Sequence, residues 1–244
     1  MSGCRELIRA ARVLFVVASV AGLCRGQSLT NGSFEQSGGS FTGWSTIGNT
    51  AIANITSTQP TNGSSQAFIS NSSGNSVLAS SLSAFFTNVT LPSNARGAAT
   101  NGSGFEQTFT VATSQTLSFD FQSVTAEALS SQWDTSFFYL DGNLTILPNP
   151  DELNAATANT NTITVGSESY SFNYTYKTLT FQLSSGSHTI GFGVYNTGDT
   201  AVNTGLFVDN VRLSAVPEPG TLGLLSCGLV GVALAFRRRR FARR

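Results

Sequence analysis

Strict alternation of apolar and polar residues is the feature of this sequence that most limits its fold. In the segments 116–122, 178–183 and 189–194, apolar side chains occupy every second position. A period of two places one face of a strand on a core and the other face in water. Sustained helical periodicity is absent between 27 and 215, so this part of the chain is predicted to be all-β.

Turn signals separate the predicted strands and set the fold class. Asn-Gly or Asp-Gly pairs at 31–32, 62–63, 101–102 and 141–142 mark tight turns. About ten short strands joined by polar turns predict an antiparallel β-sandwich of the jelly-roll type. Residues 148–169 are predicted to form one long excursion with a short hairpin. Further strands are predicted at 51–55, 66–70, 77–82, 105–111, 135–140, 170–176 and 205–213.

Charge and cysteine content exclude several functions for this central region. Residues 27–216 contain three basic and eleven acidic residues, a net charge of −8, although the whole chain is formally neutral. An acidic domain without a basic stripe repels phosphate backbones, which excludes nucleic acid as a partner. The region has no cysteine, so a disulfide, a zinc–thiolate cluster and a thiol nucleophile are excluded as well. Its fifteen phenylalanines can fill the core of one domain, predicted at 27–215.

The N-terminal end has the pattern of a signal peptide. Arg5, Arg9 and Arg12 precede the apolar run 13–23, and small residues follow it. The run is too short to span a bilayer as a stable anchor, whereas its basic flank and small residues are typical of secretory leaders. We therefore predict an N-terminal signal-peptide helix within 1–26.

The C-terminal end combines a short motif, an apolar helix and a basic tail. The uncharged segment 221–236 would reach about 24 Å as a helix, slightly less than a typical hydrocarbon core. Because basic residues stay on the cytoplasmic side, the helix is predicted to cross the membrane with the β domain outside. The residues that define this ending are Val216, Pro217, Glu218 and Pro219, followed by Arg237, Arg238, Arg239 and Arg240.

This ending, 216–244, resembles the PEP-CTERM sorting signal of Gram-negative bacteria. The resemblance implies an exosortase as processing partner, cleavage near Pro-Glu-Pro and only transient anchoring in the inner membrane. It also implies a final location at the cell surface or in the extracellular matrix of an exopolysaccharide producer. The alternative is a plain single-pass anchor.

The central region resembles galactose-binding-like domains and carbohydrate-binding-module jelly rolls. The resemblance lies in Leu-Thr-Asn-Gly-Ser-Phe-Glu at 29–35 with Phe-Thr-Gly-Trp at 41–44, which look like their opening strand. The segment 206–213, Leu-Phe-Val-Asp-Asn-Val-Arg-Leu, looks like their last strand, and 105–109 and 137–142 fit positions between. The similarity implies the fold and makes polysaccharide a candidate ligand.

Asp209 is the best candidate for a metal ligand. It shares a strand parity with Phe207, Val211 and Leu213, which predicts a carboxylate pointing inward among apolar neighbours. Such a group must be neutralised, hydrogen-bonded or bound to a cation. The jelly-roll resemblance implies a structural Ca²⁺ between Glu35 and Asp209, since Ca²⁺ prefers hard oxygen ligands. The alternative is that Asp209 accepts hydrogen bonds from backbone amides near a strand end.

Aromatic residues near turns are the candidates for sugar binding, because rings stack on the apolar faces of pyranoses. Trp133 with Asp134 is predicted to form such a platform, and Tyr195 is added because it lies at a predicted strand end. Trp44 is predicted to pack inside instead.

Catalysis has weaker support in the sequence. His188, the single histidine, lies in a turn and is predicted to be solvated, and no serine elbow accompanies it. A non-enzymatic exported protein that binds polysaccharide or serves adhesion is therefore the leading hypothesis. The alternative is an extracellular glycan hydrolase with two carboxylates, among which the sequence singles out no pair.

Overall fold

A computed structural model describes residues 29–54, 59–72, 74–126, 134–148, 161–172, 175–200 and 203–216. Within these ranges, thirteen strands form two antiparallel sheets that pack face to face. The predicted all-β antiparallel sandwich of jelly-roll type is confirmed. The two predicted terminal helices lie outside the described residues.

The first sheet has the order β1-β5-β12-β7-β8, with β4 pairing beside β1 on the same edge of β5. Its longest strands, β5 and β12, pair in register from Gly186 opposite Val111 to Tyr195 opposite Gly102. The strands are β1 (Ser45–Ile47), β4 (Val77–Leu78), β5 (Ala99–Val111), β7 (Thr135–Leu140), β8 (Asn143–Ile146) and β12 (Gly186–Thr197).

The second sheet has the order β2-β3-β13-β6-β10-β9, and β11 also pairs with β6. The last strand of the domain, β13, therefore lies in the middle of the sheet, between β3 and β6. The strands are β2 (Asn49–Ala53), β3 (Gln66–Ser70), β6 (Gln115–Thr125), β9 (Asn161–Val165), β10 (Glu168–Phe172), β11 (Lys177–Leu183) and β13 (Thr204–Ala215). A hairpin of β9 and β10 is present, but it extends beyond the predicted range 148–169, because its second strand includes the start of the strand predicted at 170–176.

Aromatic side chains from both sheets fill the space between them. Phe119 of the second sheet meets Phe138 and Phe192 of the first with ring centroids 4.7 and 4.8 Å apart. Trp44 is buried in the same core, as predicted, and its indole N–H donates to the carbonyl of Asn31 at 3.2 Å. Burial of these rings removes apolar area from water and so stabilises the fold.

The opening segment of the domain is not the strand that the resemblance implies. Residues 29–44 form turns and a short 3-10 turn at Gln36–Gly38. Asn31 and Phe34 have positive φ, at 51° and 58°, which interrupts an extended chain. The amide of Asn31 donates to the Ser40 carbonyl at 2.7 Å, and these local bonds favour the turn over a sheet ladder.

The outer face of the first sheet is covered by 79–98, which begins with helix α1 (Ala79–Phe85). The predicted strand at 77–82 was therefore wrong beyond Leu78. The cover needs glycines beneath it, because a Cβ on Gly104 or on Gly191 would collide with the ring of Phe86. Within the sheet itself, a Cβ on Gly193 would collide with the ring of Phe137 on the neighbouring strand β7. Both rings thus lie against bare backbone and are fully buried.

Candidate functional site

Glu35 holds the loop that precedes β3. Its carboxylate accepts hydrogen bonds from the backbone N–H groups of Ser64, at 2.7 Å, and Ser65. The hydroxyls of the same two serines donate to the second carboxylate oxygen at 3.1 and 3.3 Å. Burial would raise the pKa of Glu35, but these four hydrogen bonds outweigh it and hold the pKa below its ordinary value.

Asp209 holds the other end of the same loop. Its Oδ2 accepts the N–H of Asn62 at 2.7 Å and the hydroxyl of Thr61 at 3.2 Å. Its Oδ1 accepts the N–H of Asn210 at 2.6 Å. The side chain is fully buried, and burial raises the pKa of Asp209 to about 6, although the hydrogen bonds act in the opposite direction.

The direction of Asp209 differs from the prediction. A β-bulge lies between Asp209 and Arg212, and Asn210 within it has a φ of 54°. The extra residue shifts the strand parity, so Val211 and Leu213 contact the core between the sheets while Phe207 packs in a separate outer cluster. Asp209 thus lies on the outer face of the second sheet, and the 61–65 loop buries it there.

A second carboxylate lies directly opposite on the neighbouring strand. Asp120 of β6 is the register partner of Asp209 and accepts hydrogen bonds from Thr178, at 2.5 Å, and Asn210, at 2.8 Å. Burial would raise the pKa of Asp120, but its hydrogen bonds and the charge of Arg212 lower it. Burial and the two carboxylates together raise the pKa of Tyr176, whose hydroxyl donates to the side chain of Gln66.

This donor set does not fit a cation at Glu35 and Asp209. Each carboxylate is surrounded by N–H and O–H groups that present hydrogen atoms, whereas Ca²⁺ needs several oxygen lone pairs. Among the described residues, no group of three or more histidine, cysteine, aspartate or glutamate side chains could hold a metal ion. The calcium implied by the resemblance stays a prediction, and the alternative of hydrogen-bonded backbone amides matches the geometry.

Tyr195 and Asp134, predicted to bind a ligand, both lie inside the domain. The ring of Tyr195 is 1% exposed and packs against Phe137 at 5.9 Å, because β12 continues to Thr197 beneath the cover. Its hydroxyl donates to the carbonyl of Pro92 at 3.0 Å. This burial contradicts the prediction that Tyr195 stacks on a ligand. Trp133 lies outside the described residues.

Asp134 belongs to a buried polar network centred on Asn71. The amide of Asn71 donates to Asp134 Oδ2 at 2.7 Å and to Asn196 Oδ1 at 2.5 Å. Its Oδ1 accepts the backbone N–H of Thr204 at 2.6 Å, and Asn101 donates to its backbone carbonyl at 3.2 Å. The network joins β3, β5, β12 and β13 just before β7 begins. The sequence offers no spacing that singles out these residues.

His188 is buried rather than solvated. Its Nδ1 lies 2.6 Å from Asp141 Oδ2, and its Nε2 lies 2.9 Å from the carbonyl of Ser184. Since both acceptors favour a ring N–H, the pair favours the imidazolium. Burial opposes this charge, but the bonds to Asp141 and Ser184 outweigh it and raise the pKa of His188. His188 therefore fixes the β7–β8 turn to β12.

The C-terminal end gives the clearest comparison with known proteins. Residues 215–240 match the PEP-CTERM protein-sorting motif. Strand β13 ends at Ala215, where the match begins, so the sorting signal directly follows the sandwich. The predicted resemblance of this ending is thereby confirmed. The motif indicates an exported, exosortase-processed protein of the cell envelope.

Most of the sorting signal lies outside the part of the chain that the structure describes. Val216 follows β13, whereas Pro217, Glu218, Pro219 and the four arginines at 237–240 are not described. Among the described helices, none is long and apolar enough to cross a membrane. The predicted transmembrane helix at 221–236 lies outside the described residues.

Solved structures resemble the sandwich only distantly. TmCBM61 in complex with β-1,4-galactotriose is 12% identical, with a TM-score of 0.42, and the match covers 78% of this chain and 99% of that one. A CBM4 structure is 12% identical, with a TM-score of 0.31 over 72% of this chain and 96% of that one. The enzymatically active domain of bacteriophage CBA120 tailspike protein 4 is 13% identical, with a TM-score of 0.37 over 78% and 21%. No curated protein matches the chain.

Proposed function

We propose that this chain is a non-enzymatic, exosortase-sorted protein of the cell surface or extracellular matrix, whose sandwich binds exopolysaccharide or serves adhesion. The observation that carries the proposal is the sorting motif at 215–240, which directly follows the last strand of a folded domain. After processing near Pro-Glu-Pro, the product delivered outside the cell would consist mainly of that sandwich.

The state of the acidic residues favours binding over hydrolysis. A glycosidase needs two carboxyl groups that flank a bound sugar with a free path to it. Asp120 and Asp209 are opposed across two strands, yet both are buried and engaged with donors of the domain itself. His188 is also engaged at both ring nitrogens. These contacts support a structural role for Asp120, Asp209 and His188.

The chemistry of one exposed face supports a polyhydroxylated ligand. On the outer side of β11, Thr178, Thr180 and Gln182 are exposed, and they lie beside β6 in the same sheet. The amide of Gln182 donates to Thr116 at 3.0 Å. Hydroxyl and amide groups can donate and accept hydrogen bonds, so such a face suits the hydroxyls of a neutral sugar chain.

A glycan array probed with the exported protein tests the binding proposal. We expect retention on one class of extracellular polysaccharide, and we expect Trp133→Ala to weaken it if Trp133 provides the stacking platform. Tyr195→Phe is the matched control, because its ring is buried and should not touch a ligand. Hydrolysis of any arrayed glycan by the wild-type protein would contradict the proposal.

The sorting proposal has a separate test in the native host. Mass spectrometry of the exported protein should recover peptides of the sandwich but none from 222–244, because cleavage near Pro-Glu-Pro removes them. Mature surface protein that retains Arg243 and Arg244 would instead indicate a plain membrane anchor.

A further inference from the structure

Residues 61–65 form the loop that directly precedes β3. Two carboxylates from opposite ends of the domain sequence hold this loop on two sides. Glu35 follows the first turn of the described chain, and Asp209 lies on the last strand. The loop between them contributes backbone N–H groups of Asn62, Ser64 and Ser65 to these carboxylates. We call this arrangement the 61–65 latch.

We propose that Glu35 and Asp209 close the 61–65 latch through hydrogen bonds alone, so that the first and last segments of the domain are joined without a divalent cation.

The polarity of the loop is the first argument. A cation site needs oxygen lone pairs directed at a common point, often from backbone carbonyls. Here Asn62, Ser64 and Ser65 turn their N–H groups toward the carboxylates, and Ser64 and Ser65 add their hydroxyl hydrogens. The Glu35 carboxylate, which accepts four such bonds, is already charge-stabilised.

The number of acceptor positions is the second argument. A carboxylate has about four lone-pair positions. Those of Glu35 receive two N–H and two O–H donors, all from Ser64 and Ser65. Binding a cation at Glu35 would displace these donors and leave the serine N–H groups to find other acceptors.

Backbone geometry supports the same assignment. A Cβ on Gly63 would collide with the carboxylate of Glu35, and Gly63 has a φ of +83°. The bare backbone of Gly63 therefore lets the carboxylate approach close enough to reach the next two N–H groups. The carboxylate of Glu35 therefore contacts the loop backbone directly.

Amide hydrogen exchange of the full chain in EDTA tests the latch directly. Asn62 and Ser64 are exposed residues, yet we expect slow exchange of their N–H groups and of the Ser65 N–H. Glu35→Gln should speed exchange at Ser64 and Ser65 by about 10- to 100-fold, and Asp209→Asn should do so at Asn62. Glu168→Gln, which makes the same chemical change on β10, is the matched control and should alter none of the three.

Thermal unfolding of the full chain in EDTA and in millimolar calcium chloride is the second test. The proposal expects the same melting temperature in EDTA and in calcium for the wild-type chain. A rise of several degrees in calcium that disappears in Asp209→Asn would overturn it and establish a bound ion. Unprotected exchange at Asn62, Ser64 and Ser65 in EDTA would also overturn it. If a variant fails to fold, the two wild-type measurements still decide.

Discussion

Asn71 makes the strongest test of how the sandwich is stabilised at the loop end. The residue follows β3, is fully buried, and uses both side-chain groups on three different partners. The side-chain Oδ1 of Asn71 accepts a hydrogen bond from the backbone N–H of Thr204. The backbone N–H of Asn71 donates to the Thr204 carbonyl at 3.1 Å. The side chain thereby extends the β3–β13 ladder by one step and links it to β7 and β12.

Two substitutions of Asn71 separate the loss of hydrogen bonds from the addition of charge. Asn71→Ala deprives Thr204 N–H, Asp134 Oδ2 and Asn196 Oδ1 of a partner, which should cost about 3–5 kcal/mol in the free energy of unfolding. That loss corresponds to a fall in melting temperature of about 6–20 °C for a domain of this size.

Asn71→Asp keeps the shape but places a second carboxyl oxygen at the position of an amide that lies 2.7 Å from Asp134 Oδ2. Two buried carboxylates this close cannot both ionise, so the folded variant should retain one proton that the unfolded chain releases. The raised folded pKa means that stability is present at low pH and is lost as pH rises. We expect its free energy of unfolding to fall, relative to wild type, by about 1.4 kcal/mol per pH unit above pH ~4, up to the pKa of the pair.

Thermal and urea unfolding of the full chain between pH 5 and pH 8 measures both effects. The exposed Asn161→Asp is the matched control and should show almost no pH-dependent difference from wild type. If Asn71→Asp lost the same free energy at pH 5 and pH 8, the Asn71–Asp134 contact would not exist in the folded protein, and the reasoning would be refuted.

Two further predictions concern other contacts. The stability that His188 gains from Asp141 is fully present below the ordinary histidine pKa and is lost as pH rises through its raised folded pKa. Asp141→Asn, which suits the same turn, should flatten this pH dependence of the free energy of unfolding. An unchanged slope would exclude the ion pair. Gly193→Ala should lower the free energy of unfolding by about 1–3 kcal/mol because its Cβ would overlap the Phe137 ring, whereas Gly74→Ala, with open space around it, should leave thermal unfolding unchanged.

Local sequence patterns were sufficient wherever a strand has one apolar and one polar face. The alternation at 116–122 and 178–183 corresponds to β6 and β11, which pair from Phe121 opposite Lys177 to Gln115 opposite Leu183. The Asp141-Gly142 pair forms the two-residue turn between β7 and β8, with φ of 49° and 87°. Such turns depend largely on the two residues themselves. The turn predicted from the same signal at 101–102 was wrong, because Asn101 and Gly102 lie inside β5 and pair with neighbouring strands.

Patterns failed where a third layer covers a sheet. Tyr195 was expected at a strand end in solvent, but the segment 79–98 covers the outer face of the first sheet and buries it. The same segment begins with helix α1 directly after Leu78. A strand was predicted at 77–82 on local pattern alone. Coverage by a distant segment depends on tertiary packing, which no local period records.

The buried polar groups were the hardest to predict, because their partners are far apart in sequence. Asn71, Asn101 and Asn196 meet only when three strands are in register. In a chain rich in asparagine, nothing in their immediate neighbours distinguishes them from exposed ones. His188 was misplaced for the same reason, since Asp141 lies 47 residues away.

The bulge at Asn210 shows how one backbone angle changes the chemistry of a site. Without it, Asp209 would share a face with Val211 and Leu213 and would enter the core as an isolated charge, at high cost. With φ of 54° at Asn210, the strand gains one residue between Asp209 and Arg212. Asparagine tolerates this conformation better than most residues, so Asp-Asn was the one local cue. The shift moves Asp209 to the outer face, where the Asn62 N–H and the Thr61 hydroxyl of the 61–65 loop donate to its carboxylate.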